Sequence, residues 1–414
     1  MKSRRRNISS NNQTTVRHRT RSSTIIDGRY YSEPLPIELI IEILTRLPLK
    51  SIAKCRCVSK RWSSILRLPY FTDLFLTRSY TTQPQILFAA CKNDGEVIFF
   101  TSQQPKNPDE KSLPLTANHR MRIQCNATAN LRMRMPWMYG YVSAMFSVMS
   151  TGFVYIRDDS VICNPSTRQS FALPKFRTKM HDSRSYFAYD PTEKQFKVLS
   201  VTLTYRGEYN ANRNEHRVLI LGSGKPSWRV IECSVPHYPR SNGVCIDGVL
   251  YYIASAKGSF DYRGVICFDV KSEKYSFVDA IDTFVGAAHG SATLVNYMGK
   301  LASVKPEKGS NTFRGSDRSF EMYVLEDSEK QEWSTRVYEL PSLWKNVVGE
   351  NTSLQCVGMI GANEIVFSTR FANCIFYYNI ERKTVTRVQI EGMEAFYGEK
   401  ISIFLHHAED VKLL

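Results

Sequence analysis

Residues 243–253 read GVCIDGVLYYI, and this short stretch has the pattern of a β-hairpin. Apolar residues flank Asp247-Gly248, and Asp-Gly between two apolar runs is a strong signal for a tight β-hairpin turn. Related hairpins stand at residues 292–302 and 357–367, which read ATLVNYMGKLA and VGMIGANEIVF. The sequence therefore predicts a series of antiparallel hairpins in the later part of the chain.

A second kind of hairpin alternates with the first. An apolar strand ends in Asp, Asn or Gly, and a large, mostly aromatic residue starts the next strand. These hairpins span residues 161–171, 186–196, 218–228, 265–275, 322–333 and 375–385. The landmarks Asp269, Asp327 and Asn379 recur at intervals of 58 and 52 residues. A repeated four-strand unit of this length predicts a mainly antiparallel β-propeller, with a large β-sandwich as the alternative.

The segment before the β pattern carries helical signals. A helix over residues 35–48 is predicted from apolar residues at spacings of three and four: Leu39, Ile40, Ile43, Leu44 and Leu47. Pro36 fits its first position and Pro48 its end. A second helix is predicted over residues 49–57, and a third, capped by Ser59, over residues 60–66. Three short helices cannot bury all these apolar groups among themselves, so the rest of the chain or a partner protein must cover the surplus.

Residues 33–76 resemble an F-box. The resemblance rests on Leu35-Pro36, on Leu39, Ile43 and Leu44, on Leu47-Pro48-Leu49, on Val58-Ser59-Lys60 and on Trp62. It implies docking on the Skp adaptor of a cullin–RING ubiquitin ligase through apolar anchors in a partner groove. The adaptor-binding residues that it implies are Leu35, Pro36, Leu39, Ile43, Leu47, Pro48, Leu49, Ile52, Val58 and Trp62. The alternative is that these residues only form a self-contained bundle.

Residues 145–392 resemble the F-box-associated interaction domain of the large plant F-box family. The motifs that carry this resemblance are Cys163–Arg168, Tyr189-Asp190-Pro191, Trp228-Arg229, Asn242–Val244, Asp247–Tyr251 and Phe268-Asp269. The resemblance implies an α+β, multidomain chain: a three-helix F-box followed by an all-β domain, which the repeats suggest is a kelch-like propeller. The predicted divisions are a disordered basic tail (1–30), the F-box module (31–79), the β domain (80–400) and a last strand or tail (401–414).

The net charge of +16 is unevenly distributed. Residues 1–30 carry +7 and residues 111–157 carry +6, so the rest of the chain is nearly neutral. Nucleic acid is not expected as a partner, because residues 1–29 contain no aromatic residue to interleave with their basic ones. No apolar run reaches the roughly 18–20 residues of a membrane span. We expect a nuclear or cytoplasmic location, or both, with a transit peptide over residues 1–26 as the alternative.

Catalytic and metal-binding motifs are missing from the sequence. It contains no Walker loop, no G-x-S-x-G and no H-E-x-x-H, and its ten cysteines include no C-x-x-C pair. We therefore expect no enzyme activity, no cofactor and no metal, and reduced thiols throughout. Adjacent residues of a strand point to opposite faces, so His406-His407 is predicted to be a surface or tail pair. Trp137 and Trp344 fall outside the repeat and are the candidates for substrate contact.

The two resemblances together imply a substrate-recognition subunit of a Skp–cullin–F-box ubiquitin ligase, in which the β domain binds a protein substrate. The alternative is a propeller enzyme or a carbohydrate-binding lectin with a helical leader. That alternative predicts convergent carboxylates or histidines at the loop ends of the propeller, and the sequence shows no recurrent set of them.

Overall fold

The computed structural model describes residues 25–26, 29–30, 35–82, 84–92, 94–105, 113–125, 146–148, 152–157, 159–175, 182–203, 214–222, 225–256, 263–279, 293–306, 312–369, 371 and 373–412. The chain divides into two compact units, Met1–Arg46 and Leu47–Leu414. The division falls inside the predicted F-box module, so the first helix belongs to one unit and the later helices to the other.

The described residues of the first unit form a short antiparallel pair of strands and one helix. The strands are β1 (Ile25–Ile26) and β2 (Arg29–Tyr30), and the helix is α1 (Ile37–Thr45). The pairing of β1 with β2 places regular structure at the end of the tail that was expected to be disordered. Pro36 precedes α1 as its cap and accepts the first helical hydrogen bond on its carbonyl oxygen, from the Ile40 N–H at 3.2 Å.

Three helices open the second unit: α2 (Leu49–Val58), α3 (Lys60–Ile65) and α4 (Pro69–Thr82). The predicted cap is confirmed, because Ser59 Oγ accepts a hydrogen bond from the Trp62 N–H at 3.2 Å. Helix α4 lies beyond the three helices predicted from the sequence, which end at residue 66. Proline is favoured at the first position of a helix, and here it begins one. In the described part of the chain, every helix is too short or too polar to cross a lipid bilayer.

The remaining described strands form six mainly antiparallel sheets, the blades of a six-bladed β-propeller. Blade 1 contains β7 (Phe146–Val148), β8 (Val154–Ile156), β9 (Val161–Asn164) and β10 (Gln169–Ala172). Blade 2 contains β11 (Asp182–Asp190), β12 (Gln195–Leu203), β13 (Glu215–Leu221) and β14 (Trp228–Ile231). Blade 3 contains β15 (His237–Ile246), β16 (Val249–Ala256), β17 (Arg263–Asp269) and β18 (Tyr275–Asp279).

Blade 4 contains β19 (Thr293–Tyr297), β20 (Lys300–Pro306), β22 (Ser319–Asp327) and β23 (Glu332–Glu339). Blade 5 contains β24 (Ser353–Ile360), β25 (Glu364–Thr369), β26 (Cys374–Asn379) and β27 (Thr384–Glu391), with β21 (Phe313–Arg314) and β5 (Leu115–Thr116) on its edges. Blade 6 contains β28 (Lys400–His407), β3 (Gln85–Cys91), β4 (Glu96–Gln103) and β6 (Asn118–Gln124). A short helix, α5 (Trp344–Val348), links blades 4 and 5, and a 3-10 turn (Glu394–Phe396) precedes β28.

Strands from distant parts of the sequence close the ring. In blade 6, the late strand β28 pairs antiparallel with the early strand β3, with Ile401 opposite Ala90 and Ile403 opposite Phe88. A separate apolar cluster joins each blade to the next all the way around. This arrangement excludes the β-sandwich, whose two facing sheets would share one core.

The two kinds of predicted hairpin occupy different positions in a blade. The Asp-Gly hairpin at Asp247 joins the first and second strands, whereas the hairpins at Asp269 and Asn379 join the third and fourth. One assignment was wrong, because the hairpin at Asp190 joins β11 to β12, the first two strands of blade 2. The Asp190 Oδ1 accepts a hydrogen bond from the Thr192 N–H at 2.8 Å, so this side chain specifies the turn but not its place in the blade.

Candidate functional site

Helix α1 presents a row of large apolar side chains to solvent. Leu35, Leu39 and Ile43 are 56%, 51% and 52% exposed. Leu39 and Ile43 are four residues apart and lie on one face of α1, and Leu35 stands two residues before the helix begins. The neighbouring row, Ile40 and Leu44, is buried. The wide apolar stripe predicted from the sequence is therefore two rows with different environments, and only the first is available to a partner.

The other predicted adaptor-binding residues differ in exposure. Pro36, Pro48 and Val58 are exposed, and Leu47, Leu49 and Trp62 are half-buried. The prediction that Ile52 binds the adaptor has to be corrected, because its side chain is only 1% exposed and is not free to contact a partner. Six residues separate Ile52 from Val58, which puts them roughly 120° apart around α2, so one lies inside and the other outside.

The C-terminal clasp, residues 408–412, follows β28 and packs against blade 1. Asn164, at the end of β9, is fully buried and donates from Nδ2 to the carbonyl oxygens of Asp410 at 3.0 Å and Lys412 at 3.1 Å. Its Oδ1 accepts hydrogen bonds from the N–H groups of Ser166 at 2.9 Å and Thr167 at 3.3 Å. One side chain therefore builds the turn after β9 and also holds the clasp.

The same clasp contacts two of the helices. Arg56 of α2 donates from Nη2 to the Val411 carbonyl oxygen, and Ser79 Oγ of α4 accepts a hydrogen bond from the Glu409 N–H at 2.7 Å. The Arg120 guanidinium of β6 pairs with the Glu409 carboxylate at 2.7 Å. Within the second unit, helices α2 and α4 are thus fastened to the propeller through a segment at the far end of the sequence.

Asp410 is a buried acidic residue of the clasp. Burial raises its pKa to about 6, and the Asp73 carboxylate acts in the same direction. Opposing these effects are the Lys412 N–H, which donates to the Asp410 Oδ1 at 2.7 Å, and the charges of Lys412 and Arg56. The clasp therefore contains a carboxyl group whose ionisation costs native-state stability.

Trp344 was predicted to contact substrate, and the structure contradicts this. Its indole is 1% exposed and packs edge-on against the ring of Phe367, with centroids 5.4 Å apart. Its Nε1–H donates to the Arg314 carbonyl oxygen at 2.9 Å. Trp344 is part of the core between blades 4 and 5 because α5 turns it inward. Trp137, the other candidate, lies outside the described residues.

His406 and His407 are also not the predicted surface pair. His407 is buried, and burial lowers its pKa to about 3. The Nε2 of His406 lies 2.8 Å from the Met359 carbonyl oxygen, and its backbone N–H donates to Gln104 Oε1 at 3.0 Å. A β-bulge between Phe404 and His407 breaks the strand alternation on which the surface assignment depended.

A cluster of possible metal ligands was missed by the sequence analysis. One ligand atom each from His216, Cys233 and His237 lies within 4.8 Å of the others. These residues come from β13, from the link after β14 and from the start of β15. The only sequence signal was the spacing of Cys233 and His237, four positions apart, which is too common to select without the distant His216.

Comparison with known proteins agrees with both parts of the fold. A family model described as "F-box domain" matches residues 33–74, and one described as "F-box associated beta propeller domain" matches residues 85–408. The F-box protein DOR of Arabidopsis thaliana is 45% identical over 100% of both chains. The F-box protein At5g65850 of the same plant is 43% identical over 100% of this chain and 99% of its own.

Proposed function

Because this chain belongs to the family of F-box proteins with an F-box-associated β-propeller domain, we propose that it is the substrate receptor of a Skp–cullin–F-box ubiquitin ligase. The F-box docks on a Skp-type adaptor, and the propeller binds a protein substrate. The chain itself performs no chemistry in this role. Ubiquitin transfer becomes faster because a bound substrate lysine is held at a high effective concentration near the ubiquitin-conjugating enzyme.

The observation that carries the proposal is the exposed row on α1. Leu39 and Ile43 on α1, with Leu35 just before the helix, leave an exposed apolar strip, and a strip of this kind is typical of a helix-in-groove interface. Burying half-exposed leucine and isoleucine side chains in a partner groove contributes roughly 1 kcal/mol or more for each residue. The half-buried Leu49 and Trp62 and the exposed Val58 remain predicted members of the interface on α2 and α3.

The clasp supports the second half of the proposal. A receptor must hold its substrate in a defined place relative to the ligase. A loosely tethered binding domain would lower the effective concentration of the substrate near the conjugating enzyme. The hydrogen bond that Arg56 donates to the clasp and the one that Ser79 accepts from it fasten α2 and α4 to the propeller. The proposal places the protein in the nucleus or the cytoplasm. The ten cysteines, none of which forms a disulfide, are consistent with either reducing compartment.

The test is co-purification of the full chain with a Skp-type adaptor. The double variant Leu39→Asp/Ile43→Asp puts two charges into the exposed row, and we expect at least a tenfold loss of adaptor affinity. The matched control is Val337→Asp on β23, an apolar residue that is 60% exposed. It should leave adaptor recovery unchanged.

Circular dichroism must show that both variants keep the wild-type fold. Equal recovery of adaptor by the double variant and by wild type would refute docking through α1. The same measurement separates a receptor from a propeller enzyme or lectin, because neither of these has any need of the exposed row.

A further inference from the structure

We propose that His216, Cys233 and His237 form a Zn²⁺-binding site at the junction of blades 2 and 3. Their three ligand atoms already lie within 4.8 Å of one another. A thiolate and an imidazole are ligands that Zn²⁺ prefers, and three protein ligands with one open position are a recurrent zinc arrangement. The site is independent of the proposed adaptor docking.

The distance between sulfur and nitrogen fits zinc. With Zn–S near 2.3 Å, Zn–N near 2.0 Å and a tetrahedral angle, the two ligand atoms lie about 3.6 Å apart. The Cys233 Sγ lies 3.8 Å from the His237 Nδ1. Coordination requires the His237 Nδ1 and the Cys233 Sγ to turn away from the Val235 carbonyl oxygen, which lies 2.6 Å from the nitrogen and 3.1 Å from the sulfur. His216 has to approach by less than about 1.5 Å.

Two buried tyrosines provide the outer hydrogen bonds that orient metal-binding histidines. The Tyr275 hydroxyl lies 2.9 Å from the His216 Nδ1, which leaves the His216 Nε2 for the metal. The Tyr252 hydroxyl lies 2.7 Å from the His237 Nε2 and can accept its proton when the metal takes Nδ1. Histidine ligands commonly donate their second N–H to such a partner, which fixes the tautomer and the ring orientation.

The proton balance of binding follows from the local hydrogen bonds. Without metal, the Val235 carbonyl oxygen lies 2.6 Å from the His237 Nδ1 and 3.1 Å from the Cys233 Sγ, so it accepts their protons. Binding of Zn²⁺ to Nδ1 shifts the imidazole proton to Nε2, and the Cys233 thiol releases one proton to solvent.

A cavity beside the cluster gives the metal a way in. The cavity has a volume of about 220 Å³ and is lined by Asn214, Glu215, His216, Val230, Ile231, Cys233 and Pro236. Its lining includes two of the three proposed ligands, so solvent can reach the metal from that side. Cys233 lies on the link between β14 and β15, and a bound ion would tie this link to β13.

The experiment is a titration of the purified, chelator-stripped full chain with Co²⁺, followed by displacement with Zn²⁺. We expect one equivalent of Co²⁺ to produce a thiolate-to-cobalt charge-transfer band, and Zn²⁺ to remove it. Cys233→Ser should abolish the band, and His216→Gln should weaken binding at least tenfold. The matched control is Cys57→Ser, an exposed cysteine on α2, which should bind as wild type does.

Tyr275→Phe keeps all three ligands and removes one outer hydrogen bond, so it should weaken binding while preserving the band. Circular dichroism checks the fold of each variant, and if His216→Gln does not fold, the Cys233 and Tyr275 variants decide. Absence of the band from wild type, or its persistence in Cys233→Ser, would overturn the site. Binding of less than one equivalent, unaffected by these variants, would mean an adventitious ion only and would overturn it as well.

Discussion

The substitution Asn164→Asp separates the two roles of the residue that holds the C-terminal clasp. Asp190 and Asp327 build the same kind of turn with their Oδ1 atoms, so an aspartate at position 164 keeps the turn. It loses the Nδ2 donor, however, and turns an oxygen toward the carbonyl groups of Asp410 and Lys412.

The magnitude follows from these contacts. Two donated hydrogen bonds at 3.0 and 3.1 Å contribute about 0.5–1.5 kcal/mol each. The substitution also leaves two carbonyl oxygens unpaired and buries a carboxylate against them, at a position that is 0% exposed. We expect the free energy of unfolding to fall by at least about 3 kcal/mol. The matched control is Asn379→Asp, whose Oδ1 accepts only the local Arg382 N–H at 2.9 Å, and it should change stability by less than about 0.5 kcal/mol.

Two measurements test this expectation. Urea unfolding of the full chain gives the loss of stability, and hydrogen exchange read by mass spectrometry gives the protection of residues 405–412. The Glu409 and Lys412 amides donate hydrogen bonds to Ser79 and Asp410, so they should lose protection in Asn164→Asp alone. If Asn164→Asp and Asn379→Asp match in stability and in exchange, the account of the clasp is wrong.

Three further predictions concern buried groups of the second unit. Burial raises the pKa of Asp410 to about 6, so the free energy of unfolding should fall as the pH rises from about 4 to about 6. Asp410→Asn should abolish this fall and should be more stable than wild type at pH 7 by on the order of 3 kcal/mol. Urea unfolding at a series of pH values measures both effects. Ile52→Ala should lower the unfolding free energy by about 2–5 kcal/mol, whereas Val58→Ala should change it by less than about 0.5 kcal/mol, and similar values for the two would contradict their assigned burial. Trp344→Phe loses the hydrogen bond to Arg314, so it should lower the free energy of unfolding by about 1–3 kcal/mol and leave adaptor recovery unchanged. A variant as stable as wild type would argue against that hydrogen bond.

The blades could be predicted from the sequence because their signals are local. An Asp-Gly turn at Asp247 and Asx turns at Asp269 and Asn379 each specify a hairpin within a dozen residues. Ser59 similarly specifies the start of α3. The position of a hairpin within its blade is not local, which is why the hairpin at Asp190 was grouped with the wrong kind.

The sites were harder to predict because they depend on contacts between distant residues. Periodicity placed Leu39 and Leu44 on one helical stripe, but burial by other residues decides which of them faces solvent. His216 meets Cys233 and His237 only after two strands have folded together. Trp344 lies off the repeat in sequence, and yet a one-turn helix returns it to the core, where its N–H finds a carbonyl partner.

The closure of the ring by β28 has a consequence for how the protein is made. The partners β3 and β4 leave the ribosome early, but the edge of β3 stays open until residues 400–407 have been synthesised. An open edge of this kind invites pairing with other chains. The clasp follows immediately, so α2 and α4 acquire their hydrogen bonds to it only after every blade has been translated. A prematurely terminated chain would therefore have an unpaired β3 edge and would lack the hydrogen bonds that hold α2 and α4. We expect such a chain to aggregate or to be degraded, so that it would not compete with intact copies for a partner.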